Sequence, residues 1–104
     1  MPETFGSFIL RTRKEKCISQ KELASKILRE EDGKPISPQY LNDIERDRRN
    51  PTSDHLIEQF ASALNVQAEY LFYLAGTLPH DVRAAGAKPE EVVQFFNAFR
   101  KSTR

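Results

Sequence analysis

Residues Ser37–Pro51 read SPQYLNDIERDRRNP, and this stretch organises the chain. Ser37 can cap a helix with its hydroxyl, and Pro38 fits the first helical position, where no donor is needed. Tyr40, Leu41 and Ile44 fall at helical spacing, so one face can bury. Gln39, Asn42, Asp43 and Arg46 fall on the other faces. The spacing predicts a helix from Ser37 to about Asp47. A cationic turn of Arg46, Arg48, Arg49 and Asn50 follows, and Pro51 closes it by restricting Asn50. A short capped helix with amide side chains, followed by clustered arginines, is equipped to lie in a DNA major groove while gripping phosphate. Taken alone, the stretch also fits a surface helix with a solvated arginine cluster. Its neighbours decide between the two.

On the N-terminal side, Thr4 can cap a first helix running to about Lys16, with Phe5, Phe8, Ile9 and Thr12 on one face. Ile18 follows Cys17 as an apolar plug in the turn. Ser19 and Glu22 have the spacing of a capping box. The helix they open should bury Leu23, Ala24, Ile27 and Leu28, and Ala24 is small enough to let another helix approach closely. Arg29–Pro35 (REEDGKP) is a polar connector, which Gly33 and Pro35 keep from regular structure.

On the C-terminal side, Thr52 or Ser53 can cap a fourth helix with a stripe of Leu56, Ile57, Phe60, Ala61 and Leu64. Asn65 suits its stop because Asn tolerates the left-handed conformation. Ala68–Ala75 is a strongly apolar fifth helix ended by Gly76. A short helix is expected around Asp81–Ala85. Pro89 opens a last helix, with Glu90 and Glu91 at the positive end of its dipole and Arg100, Lys101 and Arg104 at the negative end. Val92, Phe95, Phe96 and Phe99 recur along one face of it. No strand-like alternation and no repeat appears, so the fold class is all-α.

Composition narrows the function. The chain of 104 residues fits one domain with a modest core. Its hydrophobic share of 38% and charged share of 30% are those of a soluble globular protein. No apolar run approaches a membrane span, and no secretory pattern opens the chain. One cysteine excludes an internal disulfide framework, which points to the cytoplasm. Net charge is only +1, so a phosphate-binding surface must be a local patch. An enzyme is not expected. Cys17 is the candidate nucleophile, His55 and His80 lie in separate segments, and these assemble no nucleophile–base–orienter set. One Cys and two His lack metal-ligand spacing, and the four glycines form no phosphate loop. No metal or cofactor is expected.

Taken together, the segments resemble the lambda repressor and Cro type of helix-turn-helix domain, the Xre family. The resemblance is carried by Arg13, ISQKELA (Ile18–Ala24), SPQYLNDIE (Ser37–Glu45), RDRRNP (Arg46–Pro51), ASALNV (Ala61–Val66) and EYLFYLAG (Glu69–Gly76). Linked motifs in the right order over residues 4–76 make it specific. It implies a five-helix DNA-binding domain over residues 1–76, with 77–104 as a C-terminal helical extension. Ser37, Pro38, Gln39, Asn42 and Asp43 then face the bases, and Gln39 is the best reader because a carboxamide can pair bidentately with adenine. Gln20, Lys21, Arg46, Arg48, Arg49 and Asn50 are expected on phosphate. Arg13 and Glu45 match a partly buried ion pair joining the first and third helices.

Three positions depart from the family pattern. The connector between the second and third helices is several residues longer. Its acids Glu30, Glu31 and Asp32 are expected to point away from DNA, with Lys34 nearer the backbone. Asp43 stands where an uncharged or basic residue is common; it can accept from a cytosine amine, or pair with Arg46 or the neighbours of Asp47. Cys17 stands where the family often has Gly, at some cost in backbone strain.

The expected function is a sequence-specific transcriptional regulator, with repression its expected mode. It would bind double-stranded DNA as a homodimer through Val92, Phe95, Phe96 and Phe99 of the last helix. That helix could instead pack back on its own domain against Tyr70, Phe72 or Tyr73. The contrasting function is an antitoxin or adaptor whose Phe-rich helix binds another protein, such as a toxin or polymerase subunit.

Overall fold

The computed structural model describes residues 3–51 and 53–102. Their regular elements are helices: α1 (Phe5–Glu15), α2 (Gln20–Lys26), α3 (Pro38–Glu45), α4 (Asp54–Leu64), α5 (Ala68–Leu74), α6 (His80–Arg83) and α7 (Pro89–Ser102). Ser53 caps α4 by accepting from the Leu56 N–H. Thr52, the alternative cap, and Arg104 lie outside the described residues.

The caps follow from short polar side chains placed ahead of apolar stripes. The Thr4 hydroxyl accepts from the Ser7 N–H, and Ser7 Oγ accepts in return from the Thr4 N–H. Ser19 accepts from the Glu22 N–H, but the return bond from the Glu22 carboxylate is not formed, so that capping box is half made. Asn65 ends α4 at φ 54°, the left-handed stop expected of it.

Stripes from α1 to α5 converge on one core. Ile9, Leu23, Leu41, Phe60, Leu64 and Leu71 are fully buried within it. Phe5 meets Phe60 edge-on at 5.7 Å between ring centroids, clamping α1 to α4. Glycine is required at Gly6, where a Cβ would be driven into the Ile44 carbonyl oxygen. That absence of a side chain lets α1 lie against the end of α3.

Two elements differ from the sequence reading. The second helix stops at Lys26, with Ile27 as an extended cap. Ile27 stays buried, but Leu28 is 39% exposed and does not join the stripe. The reason lies in the connector, which is a hairpin rather than irregular chain. Leu28 and Pro35 form an antiparallel bridge, the Ile36 N–H donates to the Ile27 carbonyl at 2.9 Å, and Gly33 turns the tip at φ 68°. Leu28 therefore follows the hairpin's path rather than a helical one. The second difference is α3, which ends at Glu45 because Asp47 adopts φ 59°.

Beyond α5, the short helix expected around Asp81–Ala85 is α6, which begins at His80 and ends at Arg83. Arg83 of α6 pairs with Asp54 at the start of α4. Helix α7 projects. It meets the domain through Phe99 against Tyr73, 5.6 Å between ring centroids. Radius of gyration is 15.2 Å, against about 13 Å for a compact chain of this length.

Candidate nucleic-acid interface

Helix α3 presents its outer face because its inner face is taken by Leu41 and Ile44, both buried. Ser37 accepts from the Tyr40 N–H at 3.0 Å, and Pro38 occupies the first turn. Ser37, Pro38 and Gln39 are exposed, and Asn42 and Asp43 are half-buried beside them. All five base-facing candidates are thus at least partly exposed along α3 and its cap.

Beneath that surface lies a polar network. Glu45 and Arg13 are buried and paired in two parallel bonds, Nε to Oε2 at 2.6 Å and Nη2 to Oε1 at 3.1 Å. Arg13 Nη1 also donates to the Ile18 carbonyl at 2.9 Å. The guanidinium therefore ties α1, the α1–α2 turn and α3 together. Gln20 adds α2: its Nε2 donates to Glu45 Oε1 at 2.8 Å and to Asn42 Oδ1 at 3.1 Å. Arg46 Nε reaches the same Asn42 oxygen at 3.4 Å. No buried side-chain polar atom among the described residues is left without a partner, so the network is complete, the condition under which buried polar groups rigidify rather than destabilise.

At the centre of the outer face, Asp43 Oδ1 accepts from Gln39 Nε2 at 3.0 Å and lies 3.8 Å from Arg48 Nη1. Of the pairings open to Asp43, the structure contains the one with a neighbour of Asp47, not one with Arg46. The carboxylate holds a base-reading candidate and a phosphate-binding candidate together in the free protein. Arg46, Arg48, Arg49 and Asn50 are all exposed, and the Arg49 guanidinium carbon lies over the Tyr40 ring, 4.8 Å from its centroid. Lys21 is exposed at the start of α2.

Asp47 is a contributor that sequence reasoning missed. Its Oδ2 accepts from the Thr4 hydroxyl at 2.7 Å and its Oδ1 from the Gly6 N–H at 3.1 Å. A carboxylate on the N-terminal amides of α1 also suits the helix dipole. The arginine-bearing turn is thereby fastened to α1. The signal was present: among L residues, Asp and Asn are those that tolerate a positive φ.

Cys17 is exposed at φ 57°, the strained left-handed position expected for it. Among the described residues no group of His, Cys, Asp or Glu is arranged to hold a metal ion. No helix among them is long and apolar enough to cross a membrane.

A five-helix core with a capped, outward-facing third helix defines a helix-turn-helix DNA-binding domain. The family model for helix-turn-helix proteins matches residues 9–71, and the chain belongs to this family of lambda repressor-like transcription regulators. It is 40% identical over 73 residues to an uncharacterized HTH-type transcriptional regulator found in two strains of Mycobacterium tuberculosis, covering 70% of this chain and 46% of the relative. The chain thus spans about half the length of the curated relatives it matches. Among solved structures it is similar to a chain of the SinR protein/SinI protein complex, with a TM-score of 0.55 and 28% identity over 95% of this chain and 99% of that one.

Proposed function

We propose that the protein is a transcriptional repressor that binds DNA as a homodimer and reads the major groove with α3. The observation that carries this reading is the exposed outer side of α3, braced from below by the Arg13–Glu45–Gln20–Asn42 network. Ser37, Pro38, Gln39, Asn42 and Asp43 meet base edges, with Gln39 as the adenine reader. The Gln39 amide leaves Asp43 to do so, and Asp43 is then able to accept from a cytosine amine. Gln20, through its backbone N–H, and Lys21, Arg46, Arg48, Arg49 and Asn50 hold phosphate and supply most of the affinity.

Helix α7 is the dimer seam. Val92, Phe96 and Phe99 are each about two-fifths exposed, at 39%, 42% and 43%, and Phe95 is 55% exposed. A contiguous aromatic face of this kind commonly marks an association surface. A two-fold dimer would set two copies of α3 about 34 Å apart, one turn of DNA.

A salt titration on the DNA upstream of the protein's own gene, against scrambled DNA of equal length, tests the reading. Tight binding to the first and weak binding to the second is expected, with Gln39→Ala narrowing the gap between them. Equal binding to both would remove the sequence-reading role. Sedimentation should give a dimer that Phe96→Ser/Phe99→Ser converts to monomer, and a wild-type monomer at high concentration would remove α7 as a self-interface. A second reading, a protein partner on α7, is favoured by that same open face and by the likeness to the SinR protein/SinI protein complex, an assembly of two proteins. Failure to bind either duplex at low salt would promote it.

A further inference from the structure

The hairpin Leu28–Pro35 has no role in that binding mode, yet it is built as a rigid arm. Its root is fixed to α4: the Leu28 N–H donates to Gln59 Oε1 at 3.1 Å, and His55 Nε2 donates to the Leu28 carbonyl at 2.9 Å. Ile27 and Ile36, on either side of the root, are buried. One of its acids is turned inward. Asp32 accepts from the Lys34 N–H at 3.0 Å and pairs with Arg29. The Lys34 N–H foremost, and then Arg29, hold the Asp32 carboxyl below its ordinary range. Glu30 and Glu31 sit at the tip. Lys34, on the returning limb, is exposed, and its ammonium has no ion-pair partner among the described residues.

Lys34 lines an open groove with Arg29, Ser37 and Tyr40. The Arg49 guanidinium carbon lies over the Tyr40 ring, 4.8 Å from its centroid. A guanidinium presents its N–H donors in a planar fork that matches phosphate, and it sits well over an aromatic ring. Tyr40 precedes Asn42 by two residues, so the two side chains leave α3 about 200° apart. Gln20 of α2 joins α3 at Asn42. Helix α2 therefore stands on one flank of α3, and the row Lys34, Tyr40, Arg49 stands on the other. A helix in a major groove ~12 Å wide has a phosphate strand along each flank.

We infer that Lys34 and Arg49, with Tyr40 as the stacking platform between them, form a second phosphate-binding rim that grips the strand across the groove from the one met by α2. The long connector is then an additional DNA contact, not a spacer. This rests on the placement of α3 in the major groove.

The test uses the full chain and the upstream duplex. Wild type, Lys34→Gln, Lys34→Arg and Lys21→Gln are titrated over a salt series, then against duplexes in which single phosphates are replaced by neutral methylphosphonates. Lys34→Gln should bind several-fold more weakly, with its salt slope shallower by ~1.8, about 0.9 for each protomer of the dimer, and its preference over scrambled DNA unchanged. Lys34→Arg should keep the wild-type slope. One methylphosphonate should weaken wild type and leave Lys34→Gln unaffected. Within one half-site it should lie on the strand opposite the phosphate to which Lys21→Gln has become insensitive. A Lys34→Gln protein with the wild-type slope, or a shared strand for the two phosphates of one half-site, would overturn the rim while leaving α3 in the groove. Wild type that binds no duplex at low salt would overturn both.

Discussion

Glu45→Ala is the perturbation that asks most of the structure. The Glu45 side chain is 2% exposed and its partner Arg13 is 10% exposed. Alanine removes both bonds to the guanidinium and leaves its charge buried beside the core. It also takes one of the two acceptors of Gln20 Nε2. Breaking a buried ion pair by removing one partner costs about 3–5 kcal/mol, and the lost Gln20 bond adds roughly 1 kcal/mol. Domains of this size are stable by about 5–15 kcal/mol, so the variant should be only marginally folded. Urea denaturation followed by helical circular dichroism reads this directly. With a slope of roughly 1–3 kcal/mol per molar, the midpoint should fall by more than ~1 M while the slope stays constant. The paired change Arg13→Met/Glu45→Leu leaves no unpaired charge and should recover most of the loss, since apolar replacements of buried pairs are often neutral or better. That stable double variant should still bind DNA poorly, because Gln20 and Asn42 lose part of the network that aligns them. A Glu45→Ala stability within ~1 kcal/mol of wild type would refute the reasoning. So would a double variant no more stable than the single one.

Three further outcomes are expected. Cys17→Gly should stabilise the fold by about 1 kcal/mol, read as a higher melting temperature, because glycine occupies φ 57° without the Cβ clash. Gly6→Ala should destabilise by about 1–3 kcal/mol, since the new Cβ meets the Ile44 carbonyl oxygen and Asp47; wild-type stability would mean that α1 is free to shift. The Tyr70 hydroxyl donates to Glu3 at 2.9 Å, and that bond, helped by burial, raises its pKa above the ordinary 10.0. A raised folded value means that this contribution to stability is complete below the unfolded pKa and is lost as pH rises through the folded one. Phenolate absorbance should show a late-titrating tyrosine that Glu3→Gln brings back toward its ordinary range.

Most of the fold was legible because its signals are local. Ser37 and Ser53 sit immediately before apolar stripes, and Asn65 sits at the one-residue left-handed stop. The Arg13–Glu45 pair was legible only through family likeness, since residues 32 positions apart carry no local pattern. Leu28 was misplaced because its apolar character fits the stripe of α2 equally well. What ended the helix was pairing between Ile27 and Ile36, a nonlocal bond with no local signature. Asp47 was missed for a related reason: it lies between arginines and reads as part of a charged turn, while its partners Thr4 and Gly6 lie 43 and 41 residues away in sequence. On the candidate surface, residue types suggested which side chains face outward. They did not reveal that Gln39, Asp43 and Arg48 are joined before DNA arrives.

The anchored root of the hairpin separates the length of the connector from the angle between α2 and α3. Ile27 and Ile36 fix the two limbs, and Gln59 and His55 hold Leu28. Residues added between Glu30 and Gly33 would enlarge a closed loop without entering the path that orients α3. Closing a longer loop is cheap, about 0.6 kcal/mol for each doubling. The tip is therefore a permissive insertion port beside the proposed DNA-facing surface, where a reporter peptide or a small folded module could be carried without turning α3.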